Sequence, residues 1–216
     1  VLNPRRARLL LCLVAGVVLP VAFAPLQWFW VAPLSYAALI WSWREAADAR
    51  EAFRLGLAYG CASFGAGTYW TFIAVRIIGG APIVVALVLT VGLIVVLALF
   101  IAAAGGVARR WLTTRGAVAW LAVVPAVWTL ADWLRGWVFT GFGWLAPGYS
   151  QTNSWLMGYA PLVGIHGMTL AVLVSAGALV TLAVGTAAGR GAAVVTLVAV
   201  WGAGFLAGER PWTTPE

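Results

Sequence analysis

The chain has 216 residues, of which 63% are hydrophobic and 9% charged, with a formal net charge of +7. A soluble domain carries about 45–50% apolar and about 25% charged residues, so this composition excludes a water-soluble globule and a disordered chain. It predicts an all-α polytopic membrane protein.

A span needs ~20 apolar residues. Hydropathic runs at roughly 9–25, 27–43, 55–75, 83–108, 117–134, 163–184 and 192–208 predict about seven transmembrane helices in one domain, 1–208. The first run mimics a secretory signal, with Arg5-Arg6-Ala7-Arg8 ahead of it and Ala22-Phe23-Ala24 at its end. Pro25 directly after that point, and a second run from Gln27-Trp28, favour an uncleaved span. Pro20, Pro25 and Pro33 interrupt the first two runs, which neighbouring helices can accommodate. The charged stretch 44–54 reads as a solvated loop or short surface helix without a catalytic role.

All thirteen basic residues are Arg. They lie in short groups between apolar runs, so no nucleic-acid partner is expected. With the N-terminus inside, Arg5, Arg6, Arg8, Arg44, Arg50, Arg54, Arg109, Arg110, Arg115 and Arg190 fall inside, and only Arg76, Arg135 and Arg210 outside. That bias follows the positive-inside rule. Residues 209–216 then emerge outside and read as the start of a linker. Cys12 and Cys61 lie in apolar runs, as small hydrophobes do. No Cys/His spacing supports a metal, and no cofactor is expected. Gly56-x-x-x-Gly60 and Gly204-x-x-x-Gly208 suit close packing of helices within the chain.

The stretch 132–162 is too long for a tight connection and too apolar for an ordinary loop. Its glycines and Pro147 exclude one regular helix. Trp133, Trp137, Trp144, Tyr149, Trp155 and Tyr159 suit a membrane–water interface. A re-entrant or interfacial loop between the fifth and sixth spans is predicted, buried in protein or lining a wet cavity. Asp132 and Arg135, three residues apart, can pair on one helix face as a structural ion pair. Arg135 could also reach a lipid phosphate. His166 stands alone at the start of the sixth span and reads as structural.

In this stretch Trp133-Leu134-Arg135-Gly136-Trp137, then Thr140-Gly141-Phe142, Trp144-Leu145 and Gly148-Tyr149-Ser150-Gln151, resemble the membrane region of bacterial apolipoprotein N-acyltransferases. Ala22-Phe23-Ala24-Pro25, Phe64-Gly65-x-Gly67-x-x-Trp70, Gly79-Gly80-Ala81-Pro82 and Ala160-Pro161-Leu162-x-Gly164 extend the resemblance, in order, over nearly the whole chain. Asp132 stands where that family usually has Glu, and Gly143 where Pro is common.

The resemblance implies an enzyme of the bacterial inner membrane. It moves an acyl chain from a phospholipid onto a Cys thiolate, then onto the N-terminal amine of a lipid-modified lipoprotein. It also implies a nitrilase-like α/β domain outside the membrane, following the seventh span, with a Glu, Lys and Cys triad. This chain has no Lys, and both Cys lie in predicted spans, so no triad member carries over. The chain therefore reads as the N-terminal membrane part, with the nitrilase-like domain expected C-terminally and no acyl transfer expected from these residues alone. Its expected partners are a phospholipid acyl donor, a lipid-modified lipoprotein acceptor and membrane lipids. Arg135, Trp137, Trp144, Tyr149 and Gln151 are the candidate substrate-binding residues. A transporter or a non-catalytic scaffold is the competing class; few ionisable residues in the spans and no internal repeat speak against a transporter.

Overall fold

The computed structural model describes residues 3–112 and 116–212. Arg115 and the linker residues 213–216 lie outside the described residues. The described residues form helices and turns, with no strand among them. In chain order the helices are α1 (Pro4–Val18), α2 (Val31–Glu45), α3 (Ala49–Gly67), α4 (Trp70–Ile73), α5 (Ile83–Leu112), α6 (Val124–Arg135), α7 (Ala160–Val184) and α8 (Ala187–Gly208).

Three stretches are long and apolar enough to cross a membrane: Ile83–Trp111, Trp155–Val184 and Ala187–Gly208. The other predicted runs coincide with shorter helices. At 15 residues each, α1 and α2 reach about 22 Å, against a hydrocarbon core of ~30 Å. Pro20 falls in a 3-10 turn, Leu19–Ala22, that extends α1. The predicted run 55–75 is broken. Thr68 ends α3 by donating its hydroxyl to the Phe64 carbonyl at 2.7 Å, and the chain resumes in α4 and a π-turn, Ala74–Ile78.

Of the two readings of the charged stretch 44–54, the helical one is nearer: it holds the end of α2 and the first turns of α3, joined by 46–48. Asp48 caps α3 by accepting the Glu51 amide at 2.7 Å, and the Glu51 carboxylate accepts the Ala47 amide at 2.7 Å. Arg8 closes on Glu51 at 2.8 Å and ties α1 to this cap. The amide of Glu51 holds the Asp48 carboxyl below its usual value of 3.8. Partial burial works to raise that of Glu51, but the Ala47 amide and Arg8 outweigh it and the net shift is downward from 4.5. Both groups are therefore lowered on folding. Their contribution is complete above the ordinary carboxylate range and is lost as the pH falls through the lowered values. Acidification below about pH 4 is expected to lower the hydrogen-exchange protection factor of the Glu51 amide before those of mid-helix amides in α3.

The core gathers on α2. Tyr36, Leu39, Ile40 and Trp43 are fully buried. The Trp128 ring of α6 packs edge-on to Tyr36 at 5.0 Å and against Trp43 at 5.2 Å, aromatic geometries that add to area burial. Ser35 gives its single hydroxyl proton to the Ala15 carbonyl at 2.8 Å, so Tyr59 is the donor to Ser35 at 2.7 Å. One hydroxyl thus joins α1, α2 and α3. Of the long helices α7 is central, with 61% of its most apolar window buried; the same figure is 22% for α5 and 17% for α8, whose side chains face outward.

Both small-residue patterns lie in close contacts within the chain. A Cβ on Gly56 would stand 2.9 Å from Ala102 Cα, and one on Gly60 2.7 Å from Ala98 Cα, so α3 and α5 touch backbone to backbone. A Cβ on Gly204 would meet the Trp155 carbonyl at 2.7 Å.

The turns segregate to two ends. At one end Arg8 meets Glu51, Arg109 donates to the Ala46 carbonyl at 2.8 Å, and Gly189 lies beside Ala117. At the other end the α1–α2 turn, the end of α3 and the stretch 136–159 meet.

Candidate functional site

The second end holds the segment with the densest aromatic and polar chemistry. After α6 the chain makes short 3-10 turns at Val138–Thr140, Pro147–Gln151 and Trp155–Tyr159. Phe139, Thr140 and Leu145 take positive φ angles of 53°, 73° and 58°. For β-branched Thr140 this is an unusual conformation, and it persists only where surrounding contacts over-determine it.

Arg135 supplies those contacts. It is 4% exposed, at the end of α6. Its guanidinium donates to Asp132 at 2.5 Å, to the Trp144 carbonyl at 2.9 Å and to the Phe142 carbonyl. The Phe142 amide returns a bond to the Arg135 carbonyl at 3.1 Å. Phe64 of α3 lies under the guanidinium at 5.4 Å, a cation–π contact. A void of about 20 Å³ borders Asp132, Arg135, Tyr36 and Ser63, room for one water. Among the described residues the other oxygen of Asp132 has no hydrogen-bond partner, and His166 Nδ1, likewise without one, stands 3.9 Å from it. That distance is too long for a hydrogen bond.

Gln151 is a second fastening. Fully buried, its amide donates to the Phe29 carbonyl at 3.1 Å and to Ser150 at 2.8 Å, and accepts from Ser154 at 2.8 Å. Asn153 bonds Gln27 beside it. Gly148 packs where a side chain would strike the Ile165 carbonyl, at 2.5 Å from its Cβ, and its amide donates to Thr169 at 3.1 Å. The irregular segment is thus clamped to α6, α7 and the α1–α2 turn.

Against this clamped segment lies a groove of about 560 Å³, bordered by Phe23, Ala24, Gly67, Trp144, Leu145 and Tyr149 among others. Its walls are mostly apolar. Trp144 and Tyr149 are half exposed, and Trp70 packs on Trp144 at 5.1 Å between ring centres. Of the five residues singled out in the sequence, Trp144 and Tyr149 border the groove. Arg135 and Gln151 lie beneath the segment that forms it, and Trp137 points away, 69% exposed and packed on Trp133. Sequence reasoning did not place Phe23, Ala24 and Gly67 here. Their signal was present, because each belongs to a short motif that carried the resemblance, and those motifs converge at this groove from three separate segments.

Comparison with known proteins bears on the same segments. The family described as apolipoprotein N-acyltransferase N-terminal domain matches residues 15–178. A Chromobacterium violaceum protein named apolipoprotein N-acyltransferase is 40% identical over 216 residues, covering 99% of this chain and 41% of that protein. One from Methylococcus capsulatus is 40% identical, covering 80% of this chain and 34% of its own length. One from Coxiella burnetii is 36% identical, covering 95% and 42%. The chain spans about two fifths of the length of such curated relatives.

Proposed function

Because this chain belongs to the apolipoprotein N-acyltransferase family, we propose that it is the membrane part of such an acyltransferase and that its groove receives the acyl chains of the two lipid substrates. The observation that carries this reading is the apolar groove walled by Trp144 and Tyr149 at one end of the helices. The donor is a phospholipid and the acceptor a lipid-modified lipoprotein. Both are anchored in a leaflet, so the protein must admit them sideways and hold the reacting groups at one depth. Such positioning accounts for a large part of a rate enhancement.

In this reading the chain makes seven crossings of the inner membrane. The Arg-rich end is cytoplasmic and the groove faces the outer leaflet, with 136–159 as an interfacial segment. Arg5, Arg6, Arg8, Arg50, Arg54, Arg109, Arg110 and Arg190 lie at the first end, which supports that orientation. Arg135 and Asp132 position the segment, and Gln151 fastens it. These residues supply no acyl-carrying nucleophile. There is no Lys to complete the family's triad, Cys12 is wholly buried, and the partly buried Cys61 lies in the middle of α3, away from the groove. The nucleophile belongs to the nitrilase-like part of the family's length.

The test is N-acylation of a diacylglyceryl lipopeptide, with phospholipid as donor, by an enzyme that carries this chain at full family length. Trp144→Ala, in the groove wall, is expected to lower the rate roughly tenfold, as a loss of orientation does. Trp137→Ala, outside the groove, should stay within about twofold of the parent enzyme. Equal rates for parent and Trp144→Ala would remove the groove from the reaction.

A further inference from the structure

A second groove lies at the opposite end, where α3 begins and α5 ends. It is about 880 Å³, with Phe53, Ala103, Gly106 and Val107 as an apolar wall and Arg50 and Arg110 at its polar edge. The helices touch at Gly60 and Gly56 and separate beyond them. A Cβ on Gly106 would meet Ala49 O at 3.6 Å and Phe53 Cβ at 3.9 Å, which is ordinary contact. Of the neighbouring cations, Arg109 is engaged with the Ala46 carbonyl and Arg8 with Glu51, while Arg5 and Arg54 lie around Asp48 and do not border this groove. The guanidinium groups of Arg50 and Arg110 make no hydrogen bond or ion pair among the described residues, and both residues are exposed, although the Arg50 amide and charge also bear on Asp48. The nearest carboxylates are occupied: Asp48 accepts the Glu51 amide, and Glu51 takes Arg8 and the Ala47 amide.

Depth completes the picture. The apolar stretch of α5 runs 29 residues, Ile83–Trp111, about 43 Å, beyond a hydrocarbon core of ~30 Å. Arg110 therefore stands at headgroup level, and the wall of Ala103, Gly106 and Val107 descends from it toward the acyl chains. Unpaired cations at that level attract anionic lipid.

We propose that this groove binds one anionic phospholipid of the leaflet on the N-terminal side, its phosphate between Arg50 and Arg110 and an acyl chain along Gly106. The site is separate from the acyl-chain groove, and its test does not depend on acyl transfer. The intact chain is purified in neutral detergent and titrated, under native mass spectrometry, with phosphatidylglycerol and with phosphatidylcholine of the same acyl chains. Retention of phosphatidylglycerol is expected at about thirtyfold lower lipid concentration, as two interfacial cations predict.

Arg50→Gln with Arg110→Gln should abolish the preference, while Arg6→Gln with Arg190→Gln, the same change in charge, should leave it. Gly106→Leu should weaken phosphatidylglycerol binding with both arginines intact. Thermal unfolding that matches the parent chain identifies the variants whose binding is compared. Equal retention of the two lipids overturns the proposal. So does a preference that survives the Arg50/Arg110 change, or one that Gly106→Leu leaves untouched, because the arginines would then hold a headgroup without a groove.

Discussion

Arg135→Ala is expected to destabilise the helical domain by about 3–5 kcal/mol, the cost of removing one partner from a buried ion pair. Asp132 is only 5% exposed, and His166, 3.9 Å away, is too far to replace the hydrogen bond that Arg135 donates. The substitution would leave a carboxylate in the core and also strand the carbonyls of Phe142 and Trp144. Unfolding in detergent, followed by circular dichroism, measures the loss. Asp132→Asn combined with Arg135→Gln removes the stranded charge and should recover part of the stability, though not the bonds to the two carbonyls. Arg135→Lys should recover less than a charge count suggests, because an ammonium cannot reproduce the planar fork that reaches Asp132 and two carbonyls together. A cost below about 1 kcal/mol, the range of a surface pair, would show that the guanidinium does not organise the segment. The same variants at full family length should lose N-acylation along with the segment's protection from proteolysis, which ties the ion pair to the shape of the groove rather than to the chemistry.

What the sequence made legible was whatever repeats locally. The helical class follows from composition, and the irregular stretch after α6 from its glycines, Pro147 and aromatic density. The spacing of Asp132 and Arg135 places them on one helix face, where the structure has them paired. What hydropathy missed were events decided by a single polar group. The Asp48 cap turns a charged connection into the first turn of α3, and the Thr68 hydroxyl ends that helix inside an apolar run. Averaging over a window erases both. Other features depend on contacts between distant segments. Gln151 reaches Phe29 across 122 residues, and His166 approaches Asp132 only because α7 packs on α6. Lone polar residues in apolar runs carry no sign of the partner that tertiary packing will bring to them.

Gly60→Leu is the second substitution expected to have a large effect, and three of the four glycines of α3, Gly56, Gly60 and Gly65, make it a graded experiment. At Gly60 a Cβ would stand 2.7 Å from both the Cα and Cβ of Ala98. At Gly56 it would stand 2.9 Å from Ala102 Cα. These obstacles are backbone and a methyl group, which cannot rotate aside, so the whole α3–α5 contact must open. Overpacking a well-filled core costs about 1–3 kcal/mol. Here a crossing of two long helices must separate as well, so about 3 kcal/mol or more is expected for Gly60→Leu, in the range that marks a named structural lesion. Gly65 lies on the same helix, and a Cβ there would meet nothing within 4 Å, so Gly65→Leu should be within about 0.5 kcal/mol of neutral. The comparison separates crowding from helix propensity, because Leu is the better helix former at all three positions. If Gly60→Leu unfolded no more readily than Gly65→Leu, the close approach of α3 and α5 would not be the contact that sets the spacing of the bundle. The groove between Arg50 and Arg110 would lose part of its geometric basis with it, since the two helices that wall it meet at Gly56 and Gly60.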